Sequence, residues 1–469
     1  RSNHWRAHSG SDYSRTRCCT STSRTSSTSS DRSQTIFCGG AHIHGRIGGR
    51  LHADYATHDH EAFANQEDAI DGTQIRRARL YAKGKLNGRW KYVLESDFAG
   101  NKVSVKDANL SYKLTSAPIT LTVGNQKHAV SMEVEESSND IMFTERSLVA
   151  ALTTPYFDRA IGITAASGGS NWHAKAGLFG DGISNNDADE GHGFGARASF
   201  APVLNDNTVV HVGASYGLRK TSDDGLANGK SPSFSYKTTN FSDLKPVNAS
   251  VADMDKVEIG VFEFAAMHGA WSVQSEIAAN NVSRDSGDDL SFSAHYVQLG
   301  YSIFGGQRRY KASEGEFKYF NVNTPFNAST GDWGALEVAA RFDQIDLEDD
   351  NISGGEAKRF TLGLNWYLSR NMRVLFDYSR SYDLDGGAIQ NDQALIHHHL
   401  GGVLGHFADG VDQVLDGVRG QALDNVQRRM YDHVGEVNVQ PAYRGLVLKH
   451  RVALGVGSAR LAFEVEFGH

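Results

Sequence analysis

Apolar and polar residues alternate with a period of two through most of the chain between residues 44 and 395. In WGALEVAARFDQ, for example, Leu336, Val338 and Phe342 share one face, and Glu337 and Arg341 share the other. A period of two is that of a β-strand. About fifteen such segments, each of roughly ten residues, follow one another, which predicts an all-β protein built from antiparallel strands.

Two architectures produce this alternation. A soluble β-sandwich turns the apolar face of each strand inward. A transmembrane barrel turns the apolar face outward to lipid, with strands of about 9–11 residues, aromatic residues at the strand ends, and short turns alternating with longer loops. Tight turns such as LNGR, MHGA and LSRN alternate with longer links in this chain. The pattern therefore favours a transmembrane antiparallel β-barrel.

The composition agrees with a barrel and excludes other classes. The chain has 49 glycines and only 7 prolines. Few prolines are expected in a protein with many strands, because proline has no backbone N–H to donate to the neighbouring strand. The mean hydropathy is −0.43, and no segment approaches the roughly 18 apolar residues of a membrane helix. All three cysteines, Cys18, Cys19 and Cys38, lie near the start, which excludes a disulfide scaffold and a cysteine-based metal site in the main body.

The net charge of −8 is unevenly distributed, with +4 on residues 1–43 and −12 on the remainder. A negatively charged main body argues against a nucleic-acid binder. Residues 1–43 are rich in Ser, Thr and Arg and show no periodicity, so we interpret them as a disordered or non-native segment. They contain no apolar signal-peptide core, so we expect the signal peptide of an exported protein to be absent from this chain.

One long segment interrupts the alternation. Residues 131–152, SMEVEESSNDIMFTERSLVAAL, carry five acidic residues, the single basic residue Arg146 and two apolar clusters. The segment is too long for a hairpin turn and follows the fifth predicted strand. Residues at membrane depth that are not in a regular strand must be shielded inside a barrel.

Several blocks of the sequence resemble the phosphate-selective porin family that contains porins O and P. The resemblance extends from about Gly45 to Leu395 and implies an outer-membrane barrel of a Gram-negative bacterium, with 16 strands, usually a homotrimer. It also implies that residues 131–152 form an inward-folded constriction loop. The blocks are RIGGRLHADYA, IRRARLYAKGKLNGRWKYVLESDFA, VSVKDANLSYK, SSNDIMFTERSL, DRAIGI, ARASFAPVLNDNTVVHVGASYGLR, YVQLGYSIFGGQRRYK and LGLNWYLSRNMRVLFDYSRS.

The resemblance places Arg76, Arg77 and Arg146 among the pore-lining residues that act on passing anions. It places Asp107 with them, where it would orient a cation or tune its field. Arg79 lies on the same strand face as Arg77 and could join the arginines. Planar guanidinium groups match the oxygens of phosphate, and rings of basic residues favour anion permeation. We therefore expect passive diffusion of small ions, including inorganic anions such as phosphate. Solvated interior positions remain the alternative for Arg77 and Arg79.

The constriction loop departs from the family pattern at its narrowest predicted point. Val134 stands where phosphate-selective members carry a lysine, and the acidic residues Glu135, Glu136 and Glu145 lie in the same loop. The long loop around residues 221–252 contains no arginine. These features predict weaker anion attraction, so a general or weakly selective porin is the alternative function. A salt bridge from Arg146 to Glu145 or another loop acid is the alternative role for that arginine.

The resemblance ends where the last strand of the barrel should begin. Residues 396–469 form an atypical tail, which a frameshift near residues 394–396 would explain. The alternative is that the tail is an insertion after which the alternating segment 458–467 supplies the closing strand. Without a closing strand, an open edge would face lipid, which is costly.

No motif predicts an enzyme, a metal site or a cofactor. A nucleophile elbow, a phosphate-cradling loop and an HExxH motif are all missing from the sequence. An outer-membrane hydrolase would need a Ser/His/Asp set that cannot be assembled here, and the remaining alternative class is a soluble carbohydrate-binding β protein. The expected partners are small anions or other small solutes, outer-membrane lipids and lipopolysaccharide, and not nucleic acid.

Overall fold

The computed structural model describes residues 34–38, 41–58, 71–183, 189–222, 233–237, 245–385, 395–404, 451–456 and 459–464. One antiparallel sheet contains sixteen long strands in consecutive pairs. In chain order they are β1 (Ala41–His58), β2 (Gly72–Leu86), β3 (Trp90–Asp97), β4 (Ser104–Lys113), β5 (Ile119–Lys127), β6 (Arg159–Gly168), β7 (Trp172–Phe179), β8 (His192–Leu204), β9 (Thr208–Lys220), β10 (Met254–His268), β11 (Trp271–Arg284), β12 (Leu290–Phe304), β13 (Ala335–Asp349), β14 (Ile352–Ser369), β15 (Met372–Asp385) and β16 (Leu395–Leu404).

The ring of strands is closed by β16. This strand pairs with β15 on one side and with β1 on the other, so the pairings return to the first strand. Closure satisfies the backbone groups that would otherwise face lipid at an open edge. The predicted 16-stranded barrel is thereby confirmed.

The closing strand lies at the start of the tail, at Leu395–Leu404. Within the predicted closing segment, 458–467, the described strand Ala459–Glu464 instead pairs with Arg451–Val456 in a separate two-stranded sheet. Residues 405–450 of the tail lie outside the described residues.

Strand structure also begins before residue 44. The short strand Gln34–Cys38 pairs with the first residues of β1. The remainder of the Ser/Thr/Arg-rich segment, residues 1–33, lies outside the described residues. Backbone pairing needs no apolar periodicity, which is why the sequence pattern did not reveal this hairpin.

The alternation has the sense predicted for a membrane barrel. On β14, Leu362 is 46% exposed and Leu364 is 41% exposed, whereas Thr361 and Asn365 on either side of this pair are buried. On the neighbouring β13, Val338 is exposed while Glu337 is buried. Polar side chains therefore face the interior, and apolar side chains form the outer surface.

Part of the interior is an apolar core. The inward residues Val257 and Ile259 of β10 are fully buried, and so are Phe292 of β12 and Ile345 of β13. They pack in one cluster with a two-stranded ribbon, Phe234–Tyr236 and Val247–Ala249, and with a helix from the segment that interrupts the alternation. At these contacts the strands carry apolar side chains on the inner face as well as on the outer face. The ribbon and the helix therefore fill the barrel interior on this side.

Most short links lie on one rim of the barrel, and most long links lie on the other. On one rim, strands are joined by two to five residues, as at Gly269 and Ala270 between β10 and β11. The link between β12 and β13, residues 305–334, lies on this same rim but contains a hairpin, Gly306–Lys311 and Glu316–Val322. The long segment between β5 and β6, residues 128–158, starts from the other rim.

Aromatic residues gather near the short-turn rim, as predicted for a membrane interface. Trp90 of β3 packs on Tyr112 of β4 with ring centroids 4.7 Å apart, and Trp271 of β11 packs on Tyr301 of β12 at 4.6 Å. Trp172, at the start of β7, is also exposed.

The helices are short. They are α1 (Met132–Glu135), α2 (Leu148–Phe157) and a 3₁₀ turn at Ala99–Asn101. Among the described residues, no helix has the length and apolarity needed to cross a membrane.

A lipid-facing charge should destabilise the barrel according to its depth. We expect Leu364→Arg on β14 to lower the free energy of unfolding by about 2–4 kcal/mol, because arginine near the bilayer midplane loses its hydration. The matched control is Met372→Arg at the exposed start of β15, which should cost about 0–1 kcal/mol. Urea unfolding in lipid vesicles measures both values, and equal costs would contradict the outward orientation of this face.

Candidate functional site

The predicted constriction loop, residues 131–152, lies within the link 128–158, which folds into the lumen and is called the constriction loop from here on. Ser131 has the left-handed backbone value φ 64°, and its side-chain oxygen accepts a hydrogen bond from the Val134 N–H at the start of α1. At the other end of α1, Lys127 Nζ donates to the carbonyl oxygens of Val134, Glu135 and Glu136 at 2.7, 2.9 and 2.9 Å. A cation at these carbonyls satisfies acceptors that a helix end leaves unpaired.

The constriction loop packs against the wall formed by β9–β15. Wall carboxylates accept from loop N–H groups: Glu276 from Met132 at 2.7 Å, Asp377 from Thr144 at 2.7 Å, and Asp343 from Leu148 at 3.1 Å. Wall arginines donate to loop carbonyls, as Arg341 does to Glu145 O at 3.0 Å and Arg373 does to Ile141 O at 2.7 Å. Irregular backbone at membrane depth is thus satisfied by side chains of the barrel.

The apolar clusters of the loop face this same wall. Phe143, Leu148 and Val149 are buried, and the Phe143 ring lies 4.6 Å from the guanidinium of Arg341. The loop therefore fills the half of the lumen next to β9–β15, and we infer that the narrow passage lies between the loop and β1–β6. We call this passage the aperture.

The predicted arginines of β2 lie on the wall of the aperture because of a β-bulge. His52 pairs with Arg77 while Ala53 pairs with Ile75, so Arg76 is the extra residue of the bulge. Its guanidinium reaches Glu145 of the constriction loop, with Nη2 2.8 Å from Oε2. The bulge explains how two consecutive arginines both face the lumen, which strict alternation would forbid.

Most charged residues predicted for this site are paired. Arg79 donates to Glu95 at 2.9 Å and to Asp97 at 2.8 Å. Asp107 accepts from Arg159 at 3.2 and 3.3 Å. These pairs neutralise much of the charge that β2–β6 present to the aperture.

The acidic residues of the constriction loop also have partners. Glu145 accepts from Arg76, as described above. Glu135 lies 2.6 Å from Lys175 and 3.5 Å from Arg197. Glu136 is buried, and its Oε1 accepts from the Phe317 N–H of the inward hairpin at 3.2 Å. Val134 is also buried, so its side chain adds no charge to the aperture.

Two of the predicted arginines lack a carboxylate partner among the residues that the structure describes. Arg77 Nη1 donates to His52 Nδ1 at 3.3 Å. Arg146 Nη2 donates to the Glu136 carbonyl at 2.8 Å, and its Nη1 is buried without a hydrogen-bond partner in the described part of the chain. The predicted alternative, a salt bridge from Arg146 to a loop acid, is not present in the described geometry.

Several residues of the aperture were missed by sequence analysis. Arg50 of β1 donates to Ser137 Oγ at 3.3 Å and Ser138 Oγ at 3.2 Å, so it spans the aperture. His52 Nε2 lies 3.0 Å from Asn139 Oδ1; because Nδ1 accepts from Arg77, Nε2 carries the proton. The pairing of β1 with β2 would have identified these residues, because Arg50 lies directly opposite Arg79.

A second inward segment enters from the short-turn rim. Arg308 of the hairpin binds Glu337 of β13 with two contacts of 2.8 Å and donates to the Asp140 carbonyl of the constriction loop at 3.2 Å. The hairpin tip lies against the opposite wall, where Arg197 Nη2 donates to the Gly315 carbonyl. The hairpin thus crosses the lumen on the short-turn side of the loop.

Between the aperture and the short-turn rim, β1–β4 present a basic wall. The alternation and register that place Arg79 and Glu95 inward also place further basic residues on that inner face. In the described register, no Asp or Glu of β1–β4 lies on this face beyond Glu95 toward the rim. The basic residues are Arg46, Lys83, Lys85, Lys91 and Lys113.

The model of the family described as phosphate-selective porin O and P matches residues 46–395. This chain belongs to that family. Porin O of Pseudomonas aeruginosa is 26% identical over 370 residues, which are 72% of this chain and 82% of porin O. An uncharacterized protein of Caulobacter vibrioides is 28% identical over 323 residues, 66% of this chain, and the match spans only 62% of that protein's length.

A solved structure supports the same fold. The anion-selective porin from Comamonas acidovorans superposes with a TM-score of 0.51 at 13% identity, covering 78% of this chain and 100% of that chain. At this identity the similarity concerns the fold alone. Together with the family, it establishes this porin as a β-barrel channel of the Gram-negative outer membrane, so the soluble carbohydrate-binding alternative is wrong.

The contact between the hairpin and the constriction loop should depend on pH. Burial raises the pKa of Glu136 well above its usual value, with Glu316 and Glu133 adding repulsion, and burial raises the pKa of Glu316 from 4.5 to about 7. A raised carboxyl pKa stabilises the protonated native state. The free energy of unfolding should therefore fall as pH rises from 4.5 to about 7. Chemical unfolding across this range should show a smaller slope for Glu316→Gln and an unchanged slope for the exposed-site control Glu348→Gln.

Removing the anchor of the hairpin should be costly. Glu337 is buried and also accepts from Asn365 and Tyr367 at 2.9 Å each. Glu337→Ala would leave Arg308 buried without its counter-ion, which we expect to cost about 3–5 kcal/mol. The matched control, Glu348→Ala at an exposed position, should change stability by less than about 0.5 kcal/mol. Thermal unfolding in detergent measures both; a small effect at Glu337 would show that the hairpin is not held by this pair.

Proposed function

We propose that this porin provides passive diffusion for small solutes with a weak preference for anions. The observation that carries the proposal is the pair Arg77 and Arg146, which lie beside the constriction loop and have no carboxylate partner among the described residues. Arg146 lies near enough to Arg77 for the two positive charges to repel each other, and the same holds for Arg76 and Arg79. Positive charge concentrated at a narrow point attracts anions.

The charge pairs around these two arginines support a weak preference over a strong one. Arg76, Arg79 and Asp107 are all engaged in ion pairs. An ion held by many unpaired cations would leave slowly, and conduction requires weak binding. The missing cation at Val134 acts in the same direction. We therefore place phosphate among the permeating anions without assigning a phosphate-specific site.

A general porin without anion preference is the second candidate. The same ion pairs favour it, because a charge-balanced wall discriminates little between cations and anions. The basic wall between the aperture and the short-turn rim favours the first candidate, since basic residues there would raise the local concentration of anions.

We infer that the native assembly is a homotrimer, as family membership implies. The outer surface of each barrel would contact outer-membrane lipids and lipopolysaccharide through its band of exposed apolar side chains. Leu80, Leu94, Ile277 and Leu178 are more than half exposed and belong to this band.

Removing either unpaired arginine should reduce anion preference. We expect Arg77→Gln and Arg146→Gln each to lower the chloride-to-potassium permeability ratio by up to about fivefold, the effect of one unit charge about 4 Å from the ion in water. Reversal potentials across planar bilayers in asymmetric potassium chloride measure the ratio.

The matched control is Lys102→Gln, which removes the same charge from an exposed loop residue outside the aperture. It should leave the ratio unchanged. A wild-type reversal potential that indicates cation selectivity, or arginine variants that do not differ from the control, would contradict the anion preference and favour the general porin.

A further inference from the structure

We propose that Glu95 is a specificity-determining residue of the pore, a built-in counter-ion that suppresses the anion preference of the aperture. The inference deepens the proposed function and rests on it for the path of the permeating ion. Its test measures a change relative to wild type, so it can fail or succeed whichever ions the wild-type pore prefers.

Glu95 joins two arginines from two other strands. Its side chain projects inward from β3 and is buried. Oε2 accepts from Arg50 Nη2 of β1 at 2.9 Å, and Oε1 accepts from Arg79 Nη1 of β2 at 2.9 Å. One carboxylate thus engages two guanidinium groups, one with each oxygen, in charge-assisted hydrogen bonds.

The two arginines depend on Glu95 to different degrees. Arg79 has a second carboxylate, Asp97, at 2.8 Å. Arg50 has Glu95 as its one carboxylate partner among the described residues, and its remaining contacts are the hydroxyl groups of Ser137 and Ser138. Loss of the Glu95 charge would therefore release mainly the positive charge of Arg50.

The position of Arg50 makes that release relevant to permeation. Its guanidinium lies between the barrel wall and the constriction loop, because it touches Glu95 on one side and the two serines on the other. Its strand neighbour on the same face is His52, which contacts Arg77. Without the Glu95 charge, Arg50 would become a third cation without a carboxylate partner beside Arg77 and Arg146. The electric fields of like charges in one narrow passage add.

A purely structural role for Glu95 predicts a different outcome. If Glu95 only holds β1, β2 and β3 in place, its neutral isostere would alter stability or conductance without altering selectivity. If it sets selectivity, the isostere would raise anion permeation in a channel that still assembles. Reversal potential separates the two roles because it does not depend on how many channels insert.

The test uses the full chain in planar bilayers with asymmetric potassium chloride. Glu95→Gln should raise the chloride-to-potassium permeability ratio about fivefold over wild type, whereas Glu95→Asp should stay close to wild type because the charge is kept. The matched control is Glu348→Gln, which removes the same charge at an exposed site outside the lumen and should have no effect.

A second pair of variants assigns the effect to Arg50 and keeps the proposal testable if Glu95→Gln fails to assemble. Arg50→Gln alone should shift the ratio toward potassium, because Glu95 then lacks one of its cations. Glu95→Gln combined with Arg50→Gln should return the ratio to near the wild-type value. An unchanged ratio in Glu95→Gln channels that conduct, or in Arg50→Gln channels, would overturn the proposal.

Discussion

The architecture depends on one constraint: a segment that is not a regular strand must satisfy its backbone inside the barrel. The constriction loop meets this constraint by using charged side chains of the wall, with Glu276 and Asp377 accepting from its N–H groups and Arg341 and Arg373 donating to its carbonyls. Buried charges of both signs on β9–β15 are therefore structural. They occupy the half of the lumen in which the constriction loop is packed.

The division of the lumen separates two kinds of arginine. Those on β13–β15 are bound to the loop backbone or to buried carboxylates, so they contribute little to the field along the ion path. Those on β1 and β2 line the aperture, where carboxylates such as Glu95 and Glu145 offset part of their charge. Counting arginines would therefore overstate the anion preference. What matters is which guanidinium groups keep an unbalanced charge, and Arg77 and Arg146 meet that condition among the described residues.

Much of the fold could be predicted from local pattern, because period-two alternation directly reports which face of a strand meets lipid. The sequence predicted strands β13 and β14 and the outward orientation of their apolar faces. It also showed that the alternation stops at residues 131–152. Three features were not visible in the sequence. The bulge at Arg76 depends on pairing with β1. The hairpin at Gly306–Lys311 and Glu316–Val322 is held by contacts with distant strands. The partners of Glu95 come from two other strands. Such features arise from register and long-range contact, which a single sequence does not encode in its periodicity.

The central claim is that the constriction loop presents one face to the aqueous path and packs the other against β9–β15. Single cysteines in a chain lacking Cys18, Cys19 and Cys38 test it most directly. Asn139→Cys, on the aperture side, should react with a charged methanethiosulfonate reagent and reduce the single-channel current, whereas Val149→Cys, fully buried against the wall, should be unreactive in the folded channel. Rapid reaction at position 149, or none at position 139, would contradict the account.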